Sequence, residues 1–449
     1  MNEFLNRYFK IEAAGSNVRR EILAGVTTFV TMCYLLAVVP GMLSNTGIAF
    51  GDAFVSTVWI TVIATLVMGL WANFPVAVAP GLGISAFFSF IVCGPMGFTW
   101  QAGFAAVLIS GIIFSLLTFT RIRQLIINSV PMSMKSAIPA GIGFFIAFIG
   151  MKNCGLIVGD KTSFVALGNL WDPKVFLTVI CVIIIGALIA RGTKGAMIIG
   201  MAIITVVGFI FGATPLPDLA AEFAKPIKLF PTATAFQLDF GGLMKHSVVV
   251  VLFTLCFIDL FDNLGTLIGV CSKAGYVSAD GKIRGIDRAL MSDSIGTLCS
   301  GLLGCTTATT YLESVSGVAA GGRTGLTAVT VAVLFALSLF LAPILSIVPV
   351  YATSAALMIV GAMMMGTLRA INWDDFTDAL PAFLTVISMP LTFNIATGLG
   401  IGFISYIAVK VLTRRWKDQP DDVRSSGALW HQLRASLTAV DRKAIPRMR

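Results

Sequence analysis

Fourteen apolar runs succeed one another along this chain of 449 residues, and its charges are gathered into the short gaps between them. A bilayer core accepts a helix of about 20 predominantly apolar residues, and most of these runs are of that kind. They begin near Leu23, Val55, Pro75, Phe104, Ala137, Val175 and Ala196, and then near Val248, Ala289, Cys305, Leu326, Thr353, Ala382 and Ile395. The chain is 57% hydrophobic and 12% charged, whereas soluble domains hold roughly 45–50% apolar and 25% charged residues. It lacks the polar surface to face water all round, so lipid is expected to be its main solvent. The expected fold class is an all-α polytopic membrane protein, with no separate soluble domain.

The first twenty residues carry four basic side chains and no long apolar run, so they do not read as a cleavable signal. The run 23–43 serves as an uncleaved first span. Eight cysteines are scattered without a CxxC pair, several of them inside apolar runs, which argues against a disulfide framework or a thiolate metal site. With only His246 and His431, a histidine metal cluster is not expected either. The net charge of +9 lies in loops and in the tail, and does not form a nucleic-acid surface.

The longest polar interruption, residues 213–245, divides the runs seven and seven. An odd number of spans per half inverts the second half relative to the first, as in transporters built from inverted repeats. The expected organisation is a cytoplasmic N-terminus (1–22), one membrane transport domain (23–412, repeats about 23–212 and 246–412) and a basic cytoplasmic tail (413–449). The positive-inside rule agrees with this count. Only Lys152, Lys161, Lys174, Lys225, Lys228 and Lys245 fall outside, and the other 25 of the 31 basic residues, Arg121, Arg123 and Lys135 among them, fall inside.

Two runs are short for a span, and each is the third of its half. Residues 75–90 read PVAVAPGLGISAFFSF and residues 305–320 read CTTATTYLESVSGVAA, each an extended piece followed by a short helix. Interrupted segments at corresponding positions point to a transporter binding site, because exposed backbone at membrane depth is tolerated only around a cavity. A simple kinked helix is the alternative for either segment taken alone.

Charged side chains at mid-bilayer cost about 2.5–3.5 kcal/mol on insertion scales. Asp259 and Asp262, in FIDLFDNLGT of the eighth run, are spaced to share one helical face. Glu313, in TYLESVSG, stands near the start of the tenth run's half-helix, where unpaired amides favour negative charge. With no basic residue in the same spans, the three acids are not expected to stay ionised together, and at least one should exchange a proton as solute binds. Either aspartate read alone also fits a structural acid held by backbone amides. Asp293 follows a polar loop and reads as structural. Ser85 offers a hydroxyl, and Phe87, Phe88, Phe261 and Tyr311 offer faces for a flat heteroaromatic ligand. Gly321, Gly322 and Arg323, in AGGRTGLTA, read either as a helix stop with a positive anchor or as a hinge. No G-x-x-x-x-G-K-[ST] loop, HExxH or GxSxG motif occurs, so neither ATP hydrolysis nor an enzyme is indicated.

At FIDLFDNLGTLIGV, TATTYLESVSGVAAGGRTGLTA and NWDDFTDALPAF the chain resembles the azaguanine-resistance-type purine permeases of the nucleobase/cation symporter superfamily. The resemblance runs from VRREILAGVTTFVTMCYLL (18–36) to GFISYIAVK (402–410). It implies proton-driven uptake of adenine, guanine or hypoxanthine. It also implies fourteen spans in two inverted repeats, with a core domain of segments one to four and eight to eleven and a gate domain of the rest. The site would lie between segments three, eight and ten. Carried over by position, Asp259, Asp262 and Glu313 match acids that matter for binding or transport. Members with APxxGxNAFF place an asparagine where this chain, reading APGLGISAFF, has Ser85. The tail after Arg414 is polar and basic where many relatives have a further apolar stretch.

The expected partners are a purine nucleobase, a proton and membrane lipid, together with a second copy in a homodimer; no cofactor and no nucleic acid is expected. The expected location is a bacterial inner (plasma) membrane with both termini cytoplasmic. Xanthine or uracil transport by the same architecture is the alternative, with an anion transporter or channel further off.

Overall fold

The computed structural model describes residues 2–120, 123, 130–216, 228–244, 248–276 and 285–413. His246, residues 217–227 of the loop that divides the two halves, and the tail from residue 414 lie outside the described residues. The helices of the first half are α1 (Asn2–Phe9), α2 (Val18–Met32), α3 (Leu35–Ser44), α4 (Phe50–Val67), α5 (Leu82–Phe87), α6 (Trp100–Phe119), α7 (Met132–Cys154), α8 (Pro173–Ala190) and α9 (Ala196–Ile210). After the short α10 (Phe240–Leu243), the second half holds α11 (Val248–Ala274), α12 (Ile286–Leu303), α13 (Ser314–Ala319), α14 (Gly325–Leu337), α15 (Ala342–Leu345), α16 (Val350–Met364), α17 (Phe376–Leu391) and α18 (Ile395–Leu412). Among the described residues, eight helical stretches are long and apolar enough to cross a membrane.

Local chemistry sets the ends and the breaks. Asn17 caps α2 by accepting from the Arg20 amide, Thr99 caps α6, and Asn394 caps α18 through the Ala396 and Thr397 amides. The first span breaks at Cys33 and Tyr34, between α2 and α3. Single π-turns at Met68–Ala72 and Phe88–Val92 close the second span and extend the half-helix α5.

Among the described residues four strands accompany the helices: β1 (Val78–Pro80), β2 (Ile157–Asp160), β3 (Phe164–Leu167) and β4 (Ala308–Thr310). β2 and β3 form a largely exposed hairpin between α7 and α8, which sequence reading did not anticipate. β1 and β4 are the extended pieces of segments three and ten. They pair antiparallel with Val78 opposite Thr310 and Pro80 opposite Ala308, buried along their whole length. Backbone at this depth must find partners, and side chains of neighbouring helices supply them. Thr65 Oγ1 donates to the Val78 carbonyl and accepts from its amide, Ser314 Oγ accepts from the Ala77 amide, and Thr297 Oγ1 donates to the Ala308 carbonyl.

Packing sorts the helices into two groups. α2, α4, α6, α11, α12 and α14 gather around the paired strands, with α6 against α12 and α2 against α14. α7 packs against α16 and α17, α17 against α18, and α8 against α9 and α16. The first group corresponds to segments one to four and eight to eleven, and the second to the remaining six. Glycines allow the closest approaches. A Cβ at Gly317 of α13 would lie 2.1 Å from Thr28 Oγ1 and 2.7 Å from the Ala24 carbonyl of α2.

Candidate functional site

Between the two groups lies a cavity of about 170 Å³. Its polar wall is Asp262 and Thr266 of α11, Thr309 and Thr310 of β4, and Tyr311 and Glu313 in the turn that leads into α13. Tyr34, Leu82 and Gly83 line it from the same group, and Pro139, Val360, Met363, Met364 and Thr367 close it from the other. Drug-sized ligands occupy roughly 300–1,000 Å³, so this space suits one small solute. A larger recess, about 720 Å³, lies at the surface around Asn372–Phe376 and Thr413. Its described lining contains none of the intramembrane acids.

The cavity's own hydrogen bonds leave mainly acceptors for a ligand. Tyr34 donates its hydroxyl to Glu313 Oε1 at 2.6 Å. Tyr311 spends its hydroxyl on the Pro80 carbonyl, also at 2.6 Å, which ties β4 to β1. Two carboxyl groups, those of Asp262 and Glu313, therefore face one space whose described lining includes no lysine, arginine or histidine. A solute rich in N–H donors and with a flat apolar face matches this wall: the acids accept, the tyrosine rings and the methionines pack.

The structure divides the residues singled out from sequence. It brings Asp262, Tyr311 and Glu313 together at the cavity. Asp259, Ser85, Phe87, Phe88 and Phe261 are not on its wall. Ser85 is fully buried and shares a 2.7 Å hydrogen bond with Thr306. Phe88 stacks on Phe104 with ring centroids 5.0 Å apart, Phe261 packs against Phe257, and Phe87 is buried in the core. Three residues advance a helix by about 300°, leaving Asp259 some 60° from Asp262 around α11. That offset turns Asp259 away from the cavity.

Asp259 instead joins a buried network that sequence reading did not foresee. Asn263 Nδ2 donates to Asp259 Oδ1 and to Asp293 Oδ2, each at 2.7 Å, while Asn263 Oδ1 accepts from the Thr310 amide at 2.8 Å and its hydroxyl at 2.9 Å. The two donors and two lone pairs of the amide are all in use. Arg123 completes the network, with Nη2 3.1 Å from Asp293 Oδ2 and its guanidinium over the Phe114 ring. Arg123, counted from sequence among the charges on the cytoplasmic side, is a buried side chain, 1% exposed, and brings a cation to Asp293 from outside the spans that carry the acids. The physical reason is that α6 ends at Phe119, just short of this position, so a long side chain from there reaches back under α12.

The glycine-arginine loop is held firmly. Gly321 takes φ +108°, a conformation that favours glycine, and Ser16 Oγ donates to its carbonyl. The buried Glu21 of α2 accepts from the Arg323 and Thr324 amides and from Thr327 Oγ1, so a carboxylate from the first span caps α14. The Tyr276 hydroxyl donates to the Arg323 carbonyl. Tyr34 and Glu21 were missed because nothing within a few residues of each marks it and their partners lie far along the chain. Asn263 was missed although it stands beside Asp262, because Asp293 and Thr310, which it also joins, lie 30 and 47 residues on.

The model of the Permease family matches residues 19–401. A permease of Methanocaldococcus jannaschii is 46% identical over 416 residues, covering 93% of this chain and 94% of that protein. The adenine permease AdeQ of Escherichia coli strain K12 is 40% identical over 414 residues, 92% of each chain. The guanine/hypoxanthine permease PbuO of Bacillus subtilis strain 168 is 38% identical over 421 residues, 91% of this chain and 95% of that one. Among solved structures, the transmembrane domain of the cyanobacterial bicarbonate transporter BicA is similar with a TM-score of 0.63 at 15% identity, covering 86% of this chain and 97% of that domain. At that identity the likeness concerns the fold alone.

Proposed function

The chain belongs to the permease family, as a nucleobase permease and not an enzyme, and from that premise we propose that it takes up purine bases together with protons by alternating access. Adenine, guanine and hypoxanthine are the proposed substrates, in keeping with the names of the relatives. The observation that carries this reading is the placement of Asp262 and Glu313 on one small cavity between two packing groups. Their carboxyl groups accept from ring and exocyclic N–H groups of the base. A proton taken up by one of them offsets buried negative charge and couples solute to the proton gradient.

The proposed architecture has fourteen spans in two inverted repeats within residues 23–412, both termini cytoplasmic, in a plasma membrane. Under that topology the gate-side lining, Pro139 in the first half of α7, Val360, Met363 and Met364 at the end of α16, and Thr367 just beyond it, belongs to the cytoplasmic half. The core group, tied together by β1, β4 and the Asn263 network, moves as one body against the gate. An anion carrier is disfavoured, because the described wall is acidic and carries no cationic side chain.

The test is accumulation of radiolabelled guanine and adenine in cells expressing the protein, with and without a protonophore. Accumulation that collapses with the proton gradient supports symport; accumulation unchanged by the protonophore would sink the coupling. Competition by adenine, guanine, hypoxanthine, xanthine and uracil then ranks the bases.

A further inference from the structure

We infer that Tyr34 is the positioning residue for Glu313, and through it a determinant of base affinity; this rests on the reading of the cavity as the purine site. Tyr34 stands in the two-residue turn between α2 and α3, where the backbone keeps right-handed helical dihedrals. From there a ring that is only 1% exposed reaches the cavity wall and places its hydroxyl 2.6 Å from Glu313 Oε1. That distance is typical of an O–H donor to a charged or strongly polarised carboxyl oxygen, among the stronger protein hydrogen bonds.

The bond settles a question that the backbone leaves open. Glu313 stands at the first turn of α13 and makes no capping hydrogen bond with its own side chain. A glutamate so placed has three side-chain torsions to fix before it can meet a ligand, and each unfixed torsion reduces affinity. Tyr34 takes one carboxyl oxygen and thereby directs the other into the cavity. Tyr311 cannot substitute, since its hydroxyl is committed to the Pro80 carbonyl.

The two residues also keep their distance when the core moves. α2 and α13 are in contact through small residues: Gly317 lies against Ala24 and Thr28, and Thr31 Oγ1 is 3.0 Å from Ser316 Oγ. Ala24, Thr28 and Thr31 follow one another at helical spacing of four and three, so they form a single face of α2. Tyr34 continues that face, three residues on. The close-packed pair acts as a rigid mount, and the phenol and the carboxyl group travel together between states.

The experiment uses the full-length protein in detergent for equilibrium binding of labelled guanine, and in proteoliposomes for uptake. Tyr34→Phe removes the hydroxyl and keeps the ring that fills the space. The expected result is a rise in Kd and KM of about tenfold, a maximal rate within about twofold of the parent, and an unchanged melting temperature. A parental Kd in Tyr34→Phe would overturn the inference, as would a fall in maximal rate and melting temperature at unchanged Kd, which marks a merely structural tyrosine. Tyr34→Trp, which fills the space but moves the donor, should not rescue affinity; full rescue would also overturn it. Failure of the underlying site reading shows separately, as a Glu313→Gln protein that binds guanine as tightly as the parent.

Discussion

Removing the Arg123 guanidinium while leaving Asp293 in place tests whether the buried network holds the core together. The two groups are 3.1 Å apart with side-chain exposures of 1% and 0%. At an effective dielectric constant of about 20, unit charges at that separation attract by roughly 5 kcal/mol. Breaking a buried pair by deleting one partner costs about 3–5 kcal/mol in measured cases, so the two scales agree. Arg123→Met, which keeps an unbranched apolar stem but removes the guanidinium that lies over Phe114, should therefore lose about 3–5 kcal/mol. The double replacement Arg123→Met with Asp293→Leu removes both charges and should recover most of that loss. It still leaves one Asn263 N–H without its acceptor, at a cost of about 1–3 kcal/mol. The assay is equilibrium unfolding in mixed micelles, with both single replacements and the double forming a thermodynamic cycle. Arg123→Met within about 1 kcal/mol of the parent, or a double replacement no more stable than the single, would refute the assignment of Arg123 as the partner that makes Asp293 tolerable in the core.

Three further outcomes follow from the geometry. Glu313→Gln should abolish proton-driven uptake while the protein remains in the membrane at parental abundance; near-parental accumulation would remove Glu313 from the centre of the proposal. Ser85→Ala should cost about 1 kcal/mol through the lost bond to Thr306 and leave the ranking of purines unchanged in competition assays, because Ser85 does not reach the cavity. Gly317→Ala places a methyl group against Thr28 and the Ala24 carbonyl, and overpacking of this kind costs about 1–3 kcal/mol. Thr28→Ala in the same chain should restore only part of the melting temperature, since the Ala24 carbonyl stays in the way.

The site was legible in part, and the division has a physical basis. Hydropathy marked the segments, and the proline and glycine content of 75–90 with the threonines of 305–320 marked the two interrupted ones, because these are local properties. Glu313 stood out as an acid inside an interrupted segment. The pair at 259 and 262 was harder: spacing of three fits one face in outline, yet the remaining 60° turn sends one carboxyl group to the cavity and the other to Asn263. The phenylalanines gave no guidance, since the chain has 33 of them and the same residue serves core and lipid contact alike. Arg123 entered the sequence reading only as one of the charges between spans; the structure alone shows its side chain folding inward to a buried carboxyl group.

By itself the sequence determined that this chain lives in lipid, roughly where it crosses, that its third and tenth segments are interrupted and which few charges must be explained. Those are consequences of transfer free energy and backbone sterics, which act on neighbouring residues. Only the tertiary structure decided which charges meet. Tyr34 and Glu313 are 279 positions apart, Arg123 and Asp293 are 170 apart, and Glu21 caps a helix more than 300 residues away. Hydrogen bonds and ion pairs of that range depend on how helices pack, and packing is set by small residues and close approaches that hydropathy does not record.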